Sequence, residues 1–270
     1  MPKSLKGRFA IATVCSNWRQ VADTYGVGIE IDHFCQAENM DAPRRDRVLA
    51  LLKKDLETYR APVLHAPFNE LFPAAIDPKA LALAEERLLD AARLAQYLGI
   101  HRMVVHSGYV PLVYFKEWHI PRSVEFWGEF IAKQPADFEI AIENVLDDEP
   151  EMLAKIAEGV NDPRVGVCYD VGHANVASEV GQDEWMTTLA PYLKHLHIHN
   201  NDGKSDYHRG FTEGTLDIAR ILDQAAALVR GDCGGRDGRG GCGGHGDITV
   251  TAELLKDEGS FAWLKEKGYL

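Results

Sequence analysis

Short apolar runs alternate along the chain with longer stretches whose apolar residues recur every three or four positions. The runs at 9–14, 27–31, 62–65, 103–106, 138–143, 165–170, 193–199 and 248–253 read as strands, and the stretches between them as helices. The clearest helix covers 78–98, "PKALALAEERLLDAARLAQYL". Asp77 stands as N-cap, Pro78 at the first helical position and Gly99 as the stop. Regular alternation of strand and helix predicts a parallel sheet. Eight strands in 270 residues match a closed barrel, which typically needs ~250 residues. The expected fold is therefore α/β, a single-domain (β/α)8 TIM barrel over 1–270. One segment breaks the rhythm: "RGDCGGRDGRGGCGGHGD", 230–247. Its low-complexity core, 231–246, reads as a mobile insertion on the face away from a barrel's chemistry. The spacing of Cys233, Cys242 and His245 matches no zinc module.

A barrel builds its active site at the C-terminal ends of its strands. Here the third strand ends in His65, the fourth in His106, the fifth in Glu143 and the sixth in Asp170. The seventh carries His197 and the eighth ends in Glu253. Side chains on a strand alternate between faces. Ile140 and Ile142 oppose Glu143; Val167 and Tyr169 oppose Asp170; Val250 and Ala252 oppose Glu253. The bulky apolar face meets the helices, so the His, Asp and Glu residues point inward. With 41 acidic residues and 11 histidines in 270, one such strand end carries no information. Six in succession, all of the right parity, do. Inward carboxylates are costly unless a cation lies among them, so a divalent metal is expected at this rim.

The following loops add His173, just past the sixth strand, and an Asp206-x-His208 pair after the seventh. His195 shares the face of His197 but lies deeper and reads as a hydrogen-bonded interior residue. His199 reads as open and able to touch substrate. Glu30, Asp32 and His33 are pocket candidates at the end of the second strand. His101 and His119 read as surface positions, and Trp18, Phe68, Tyr109 and Trp185 as possible apolar walls at the mouth.

Composition narrows the picture. The net charge is −12, which gives the chain no overall attraction for nucleic acid. No apolar run approaches the ~18 residues of a membrane span. The basic start lacks an apolar signal core, so a cytoplasmic protein is expected. Five scattered cysteines do not make a disulfide framework. The oligomeric state stays open, a homo-oligomer included.

The segments "LHAPFNELFP", "EERLLDAARLAQYLGIHRMVVHSGY", "AIENV", "VCYDVGHAN", "LHIHNNDGKSDYH" and the closing "AELL" with "SFAWLKEKGYL" resemble the xylose isomerase-like barrel superfamily. That superfamily takes in sugar-phosphate isomerases, keto-sugar epimerases, inosose dehydratases and abasic-site endonucleases. The resemblance implies a core metal held by Glu143, Asp170, His197 and Glu253. It maps the endonuclease branch's further positions onto His65, His106, His173, Asp206 and His208. A keto-sugar epimerase would be expected to carry an arginine where the Asp206-x-His208 pair stands. Two or three ions, zinc or manganese, are within reach.

The leading expectation is isomerisation or epimerisation of a small sugar or sugar phosphate. A metal would polarise a carbonyl and its neighbouring hydroxyl, while Glu143 and Glu253 remove and return a proton through an enediolate. Hydrolysis of abasic DNA is the second reading. The full ligand set favours it, and the charge and the lack of a basic stripe count against it. A polyol dehydratase or lyase, and a metal-retaining binding protein, are further alternatives.

Overall fold

The structure is a computed structural model and describes residues 5–231 and 248–270. Eight parallel strands close into a barrel in sequence order, the last pairing with the first. They are β1 (Phe9–Ala12), β2 (Gly28–Ile31), β3 (Val63–His65), β4 (Arg102–His106), β5 (Glu139–Glu143), β6 (Val165–Asp170), β7 (Leu193–Ile198) and β8 (Thr249–Ala252). The helices are α1 (Trp18–Tyr25), α2 (Arg44–Leu56), α3 (Pro78–Tyr97), α4 (Lys116–Ala132), α5 (Glu151–Val160), α6 (Val171–Ala177), α7 (Gln182–Leu189), α8 (Ile218–Arg230) and α9 (Ser260–Glu266). The predicted (β/α)8 fold is the observed one. Several strands are shorter than the apolar runs: Val14, His199 and Glu253 lie just past strand ends.

The helix boundaries follow local chemistry. The Asp77 carboxylate accepts the backbone N–H groups of Lys79 and Ala80, which capping requires, and Gly99 follows the helix with φ 73°. Strand parity separates two apolar regions. Ile140, Ile142, Val167, Tyr169, Leu196, Ile198, Val250 and Ala252 face outward and join the large core under the helices. Inside the barrel, Val63, Val104, Ala141 and Cys168 form a small separate layer.

Below this layer the strands' N-terminal ends are closed by Arg102. It donates to the Glu139 carboxylate at 2.6 and 2.9 Å, to the Lys194 carbonyl at 3.1 Å and to the Thr249 hydroxyl at 3.0 Å. Above it come the residues of the mouth. The register pairs His106 with Glu143 and Asp170 with His197, so neighbouring strands deliver their last inward side chains to one level.

Some expectations fail in physical detail. His119 is fully buried in α4, with its ring against Tyr109 and Tyr114, because α4 turns this face inward. His101 is at the surface, paired with Asp137 at 3.0 Å. Trp185 is stacked on Tyr169 behind the barrel, and Trp18 packs on Tyr59 beneath Arg19. Tyr109 lies against the buried His119. Of the four proposed wall aromatics, only Phe68 lines the mouth. Cys233, Cys242 and His245 lie outside the described residues.

Candidate metal centre

All nine residues singled out at the strand ends and in the following loops meet at the C-terminal mouth. Glu143 is the hub. Its Oε2 is 3.1 Å from His65 Nε2 and 3.5 Å from His106 Nε2; its Oε1 is 3.2 Å from His197 Nδ1 and 3.3 Å from His173 Nδ1. His197 Nδ1 is also 3.8 Å from Asp170 Oδ2 and 3.4 Å from Glu253 Oε1. Asp206 Oδ2 is 3.3 Å from His173 Nε2 and 3.0 Å from His208 Nε2. Glu143, Asp170 and His197 are fully buried, and Glu253 nearly so.

The elements place these groups by ordinary means. Asp170 ends β6 and caps α6: its carboxylate accepts the His173 backbone N–H at 2.7 Å, which sets His173 on the first turn. Asn144, not singled out from the sequence, joins β5 to β6. Its amide donates to the Asp170 carbonyl at 2.8 Å, and its side-chain oxygen accepts the Asp170 N–H at 2.9 Å. The backbone carbonyl of Asn144 faces His173 Nδ1 at 3.0 Å, and that of Glu253 faces His208 Nδ1 at 2.8 Å. Carbonyls only accept, so both rings carry hydrogen on Nδ1 and turn Nε2 toward Asp206. His208 reaches this position with φ 46°.

Glu30 and His195 build the floor. Glu30 is fully buried, and its carboxylate accepts from His195 Nε2 at 3.1 Å and from His197 Nε2 at 3.1 Å. The other nitrogen of His195 lies 2.6 Å from the Thr249 hydroxyl, which in turn accepts from Arg102. His195 is thus the interior residue expected. Glu30 sits deeper than a pocket residue, because the facing positions on β1 are only Ala10 and Ala12. His199 departs from its reading as an open residue. It is fully buried, stacked on His208 with ring centroids 3.9 Å apart, and its Nε2 lies 3.1 Å from Asp170 Oδ1.

The electrostatics follow from this crowding. Burial opposes ionisation of Glu143, but the rings of His197 and His106 hold it well below the usual carboxylate range. Glu30 is likewise depressed against its burial by His197 and His195. Burial drives His106 down to about 3. His208 is raised to about 9, against its burial, by the hydrogen bond with Asp206. Asp32 goes the other way: burial and the Glu30 and Glu253 carboxylates push it up to about 7.

The donor set fits a divalent ion. His197 gives its Nε2–H to Glu30, so the Nδ1 lone pair faces oxygens of Glu143, Asp170 and Glu253. With Nδ1 deprotonated these are four acceptors with no donor among them. Against its burial, the surrounding carboxylates raise His197 well above the usual imidazole range, which keeps a proton there when no cation is bound. Asp170 Oδ2 is buried without a hydrogen-bond partner. Such a cluster needs a proton or a cation at its centre. Tetrahedral ligands at ~2.0–2.2 Å from a metal stand about 3.3–3.6 Å apart, close to the 3.2–3.8 Å separations around His197 Nδ1. Glu143, Asp170, His197 and Glu253 form one potential metal group, and His173, His199, Asp206 and His208 another. The cluster opens into a cavity of about 570 Å³, walled by Phe68, Val14 and Val145 on its apolar sides and by Thr13, Asp32, His33, Asn39 and Asn69 on its polar ones.

Comparison with known proteins agrees with this architecture. An uncharacterized protein of Methanocaldococcus jannaschii, MJ1311, is 25% identical over 213 residues, 70% of this chain and 68% of that one. The TTHB071 protein of Thermus thermophilus, from a crystal soaked with ZnCl2, superposes with a TM-score of 0.74 at 24% identity, over 96% of this chain and 97% of the other. A D-tagatose 3-epimerase-like protein superposes with a TM-score of 0.73 at 21% identity, over 97% and 96%. Structural likeness at these identities speaks for the fold. A family model, the xylose isomerase-like TIM barrel, matches residues 16–229, which run from just before α1 into the last turn of α8 and take in eight of the nine residues gathered at the mouth, all but Glu253. On that match, and with the barrel closed as the family name describes, the chain belongs to the xylose isomerase-like TIM barrel family.

Proposed function

We propose that the protein is a divalent-metal-dependent isomerase or epimerase of a small sugar or sugar phosphate. The observation that carries this reading is the pair Glu143 and Glu253. Each presents one carboxylate oxygen to His197 Nδ1, at 3.2 and 3.4 Å, and both line the cavity. Glu143, Asp170, His197 and Glu253 would hold a zinc or manganese ion. When bound, the ion supplies Lewis-acid polarisation of a carbonyl and its neighbouring hydroxyl.

The protein's own groups do the rest. A proton on the carbon beside the carbonyl is taken by one of the two carboxylates, and a proton is returned by the same group or by its partner. Return at the same carbon from the other side gives epimerisation; return at the neighbouring carbon gives isomerisation. Glu253 is the better placed of the two to exchange protons with substrate. Its Oε2 is 3.7 Å from His208 Nδ1, whereas both oxygens of Glu143 are ringed by imidazoles. Phe68, stacked on His106 at 4.1 Å, gives the C–H face of a sugar an apolar wall and keeps water from the proton in transit. Similarity to an epimerase-like protein supports the same class of reaction.

Incubation of the metal-loaded protein with a panel of polyhydroxylated carbonyl compounds in D2O tests the proposal. Deuterium should enter the carbon beside the carbonyl. Glu143→Gln and Glu253→Gln should each lower that exchange by more than ~10⁴, because each removes a ligand charge as well as a base. Near wild-type exchange in either variant would remove that residue from the mechanism.

The convergence of His173, Asp206 and His208 favours a second reading, hydrolysis of a phosphodiester by clustered ions. Metal-dependent cleavage of an abasic-site duplex, lost in Asp206→Ala and His208→Ala, would put that reading first.

A further inference from the structure

The carboxylate of Asp147 is fully buried and takes no part in the chemistry described above. It lies in the loop after β5. Its Oδ2 accepts from the Ser107 hydroxyl at 2.8 Å and from the Val145 backbone N–H at 3.0 Å. Its Oδ1 is buried without a hydrogen-bond partner. Burial pushes this carboxyl up to about 6, although both bonds at Oδ2 favour the charged form. A buried carboxylate is costly. This one joins the loops after β4 and β5 through a single oxygen.

Ser107 is the other end of the join, and it follows His106 directly. Its N–H donates to the Glu143 carbonyl at 2.9 Å. Its Oγ accepts the Tyr109 N–H at 3.3 Å while donating to Asp147. The loop after β5 therefore reaches both ways. Through Asn144 it holds Asp170 and His173, and through Asp147 it holds the residue next to His106.

His106 depends on such support more than the other rings do. His65, His173 and His208 each set Nδ1 against a backbone carbonyl, and His197 gives its Nε2–H to Glu30. Among the described residues His106 has no hydrogen bond of this kind. Its Nε2 is 3.5 Å from Glu143 Oε2, and its ring is stacked on Phe68 with centroids 4.1 Å apart. Stacking limits the tilt of a ring and still lets it slide in its own plane. The distance from His106 to Glu143 is thus left to the backbone at 106–107.

We infer that Asp147 is a positioning residue for an ion shared by His65, His106 and Glu143. By clamping Ser107 to the loop after β5 it sets how far His106 stands from Glu143, in place of the hydrogen bond that the other rings have behind them. Asp147 does not line the cavity and touches neither ion nor substrate. The inference rests on the metal centre proposed above, and not on which reaction the metal serves.

Zinc titration against a chromophoric chelator reads it without a substrate. The wild-type protein should hold more than one ion, and His106→Ala should weaken one of them. Asp147→Ala should weaken that same ion by about 10–100-fold, the usual loss when the partner behind a ligand is removed. The ion at Asp170, His197 and Glu253 should keep its affinity. In the His106→Ala background Asp147→Ala should add no further loss, because the ring it positions is gone. Asp147→Asn keeps an acceptor for both donors and should stay near wild type. Ser107→Ala removes one bond of the clamp and should weaken the same ion; it decides the matter if the alanine variant at 147 does not fold. Equal weakening of every ion, a loss that adds to that of His106→Ala, or affinities untouched in both Asp147→Ala and Ser107→Ala overturns the inference. So does a single bound ion indifferent to His106→Ala, which leaves the core metal standing. A wild-type protein that binds no zinc sinks the metal centre, and this inference with it.

Discussion

At the scale of single residues, what a histidine does is decided by which nitrogen it has left to offer. His65, His173 and His208 each face a backbone carbonyl with Nδ1 and turn Nε2 to a carboxylate. His197 is the reverse: Glu30 takes its Nε2–H, and Nδ1 is presented to the cluster. Partners of this outer kind fix ring orientation and raise ligand basicity, and their loss typically costs 10–100-fold in metal affinity. Glu30→Gln should therefore weaken metal binding by about that factor, since an amide cannot accept from two imidazoles with the strength of a carboxylate. Competition with a chromophoric chelator measures it. Unchanged affinity would show that His197 needs no such support.

At the scale of elements, α6 and the end of β7 are fitted to one another. Gly172, in the first turn of α6, lies under the His199 ring, and a Cβ there would stand 2.0 Å from the ring's Cε1. The Asn201 amide donates to the Gly172 carbonyl at 2.8 Å and fastens the loop after β7 to the same turn. His199 in turn supports His208 by stacking and meets Asp170 through Nε2. Gly172→Ala should displace His199 and destabilise the protein by about 1–3 kcal/mol, the usual cost of overpacking a filled site. It should also lower the metal content, because His173, Asp206 and His208 are held by the same contact. Thermal unfolding and elemental analysis check both, and a variant with normal values for both would mean that the ring has room to move.

At the scale of the whole molecule, the barrel separates stability from chemistry along its axis. At one end Arg102, Glu139, Lys194 and Thr249 satisfy one another. At the other, carboxylates and imidazoles are gathered with acceptors outnumbering donors, which is a stored electrostatic cost. A bound ion relieves it. An ion present at 100 times its dissociation constant stabilises the folded state by about 2.7 kcal/mol per site, or ~5–10 °C in Tm for a chain of this size. Exhaustive chelation should lower Tm by that amount, and added zinc or manganese should restore it. A Tm indifferent to chelator would argue that the cluster is satisfied by protons alone. No helix among the described residues is long and apolar enough to cross a membrane.

The sequence by itself determined the barrel and the identity of the mouth residues. Strand parity has a period of two, barrels place their chemistry at strand ends, and both can be read along the chain without knowing any distant contact. His65, His106, Glu143, Asp170, His197 and Glu253 are legible for that reason. Partners from other elements decided the rest. His119 is buried because α4 turns that face toward Tyr109 and Tyr114, and His199 because Gly172 leaves room for its ring. His119 continues the three-four spacing of Ser123, Phe126, Trp127, Phe130 and Ile131 along α4, so periodicity could have shown its burial; that of His199 leaves no such trace. Glu30 lies beneath the cluster because its strand neighbour β1 turns only alanines inward, and Asn144 bridges two strands through a pairing visible only in three dimensions. A residue's direction is set by its own strand; its burial, tautomer and unmet hydrogen bonds are set by whatever the fold packs against it.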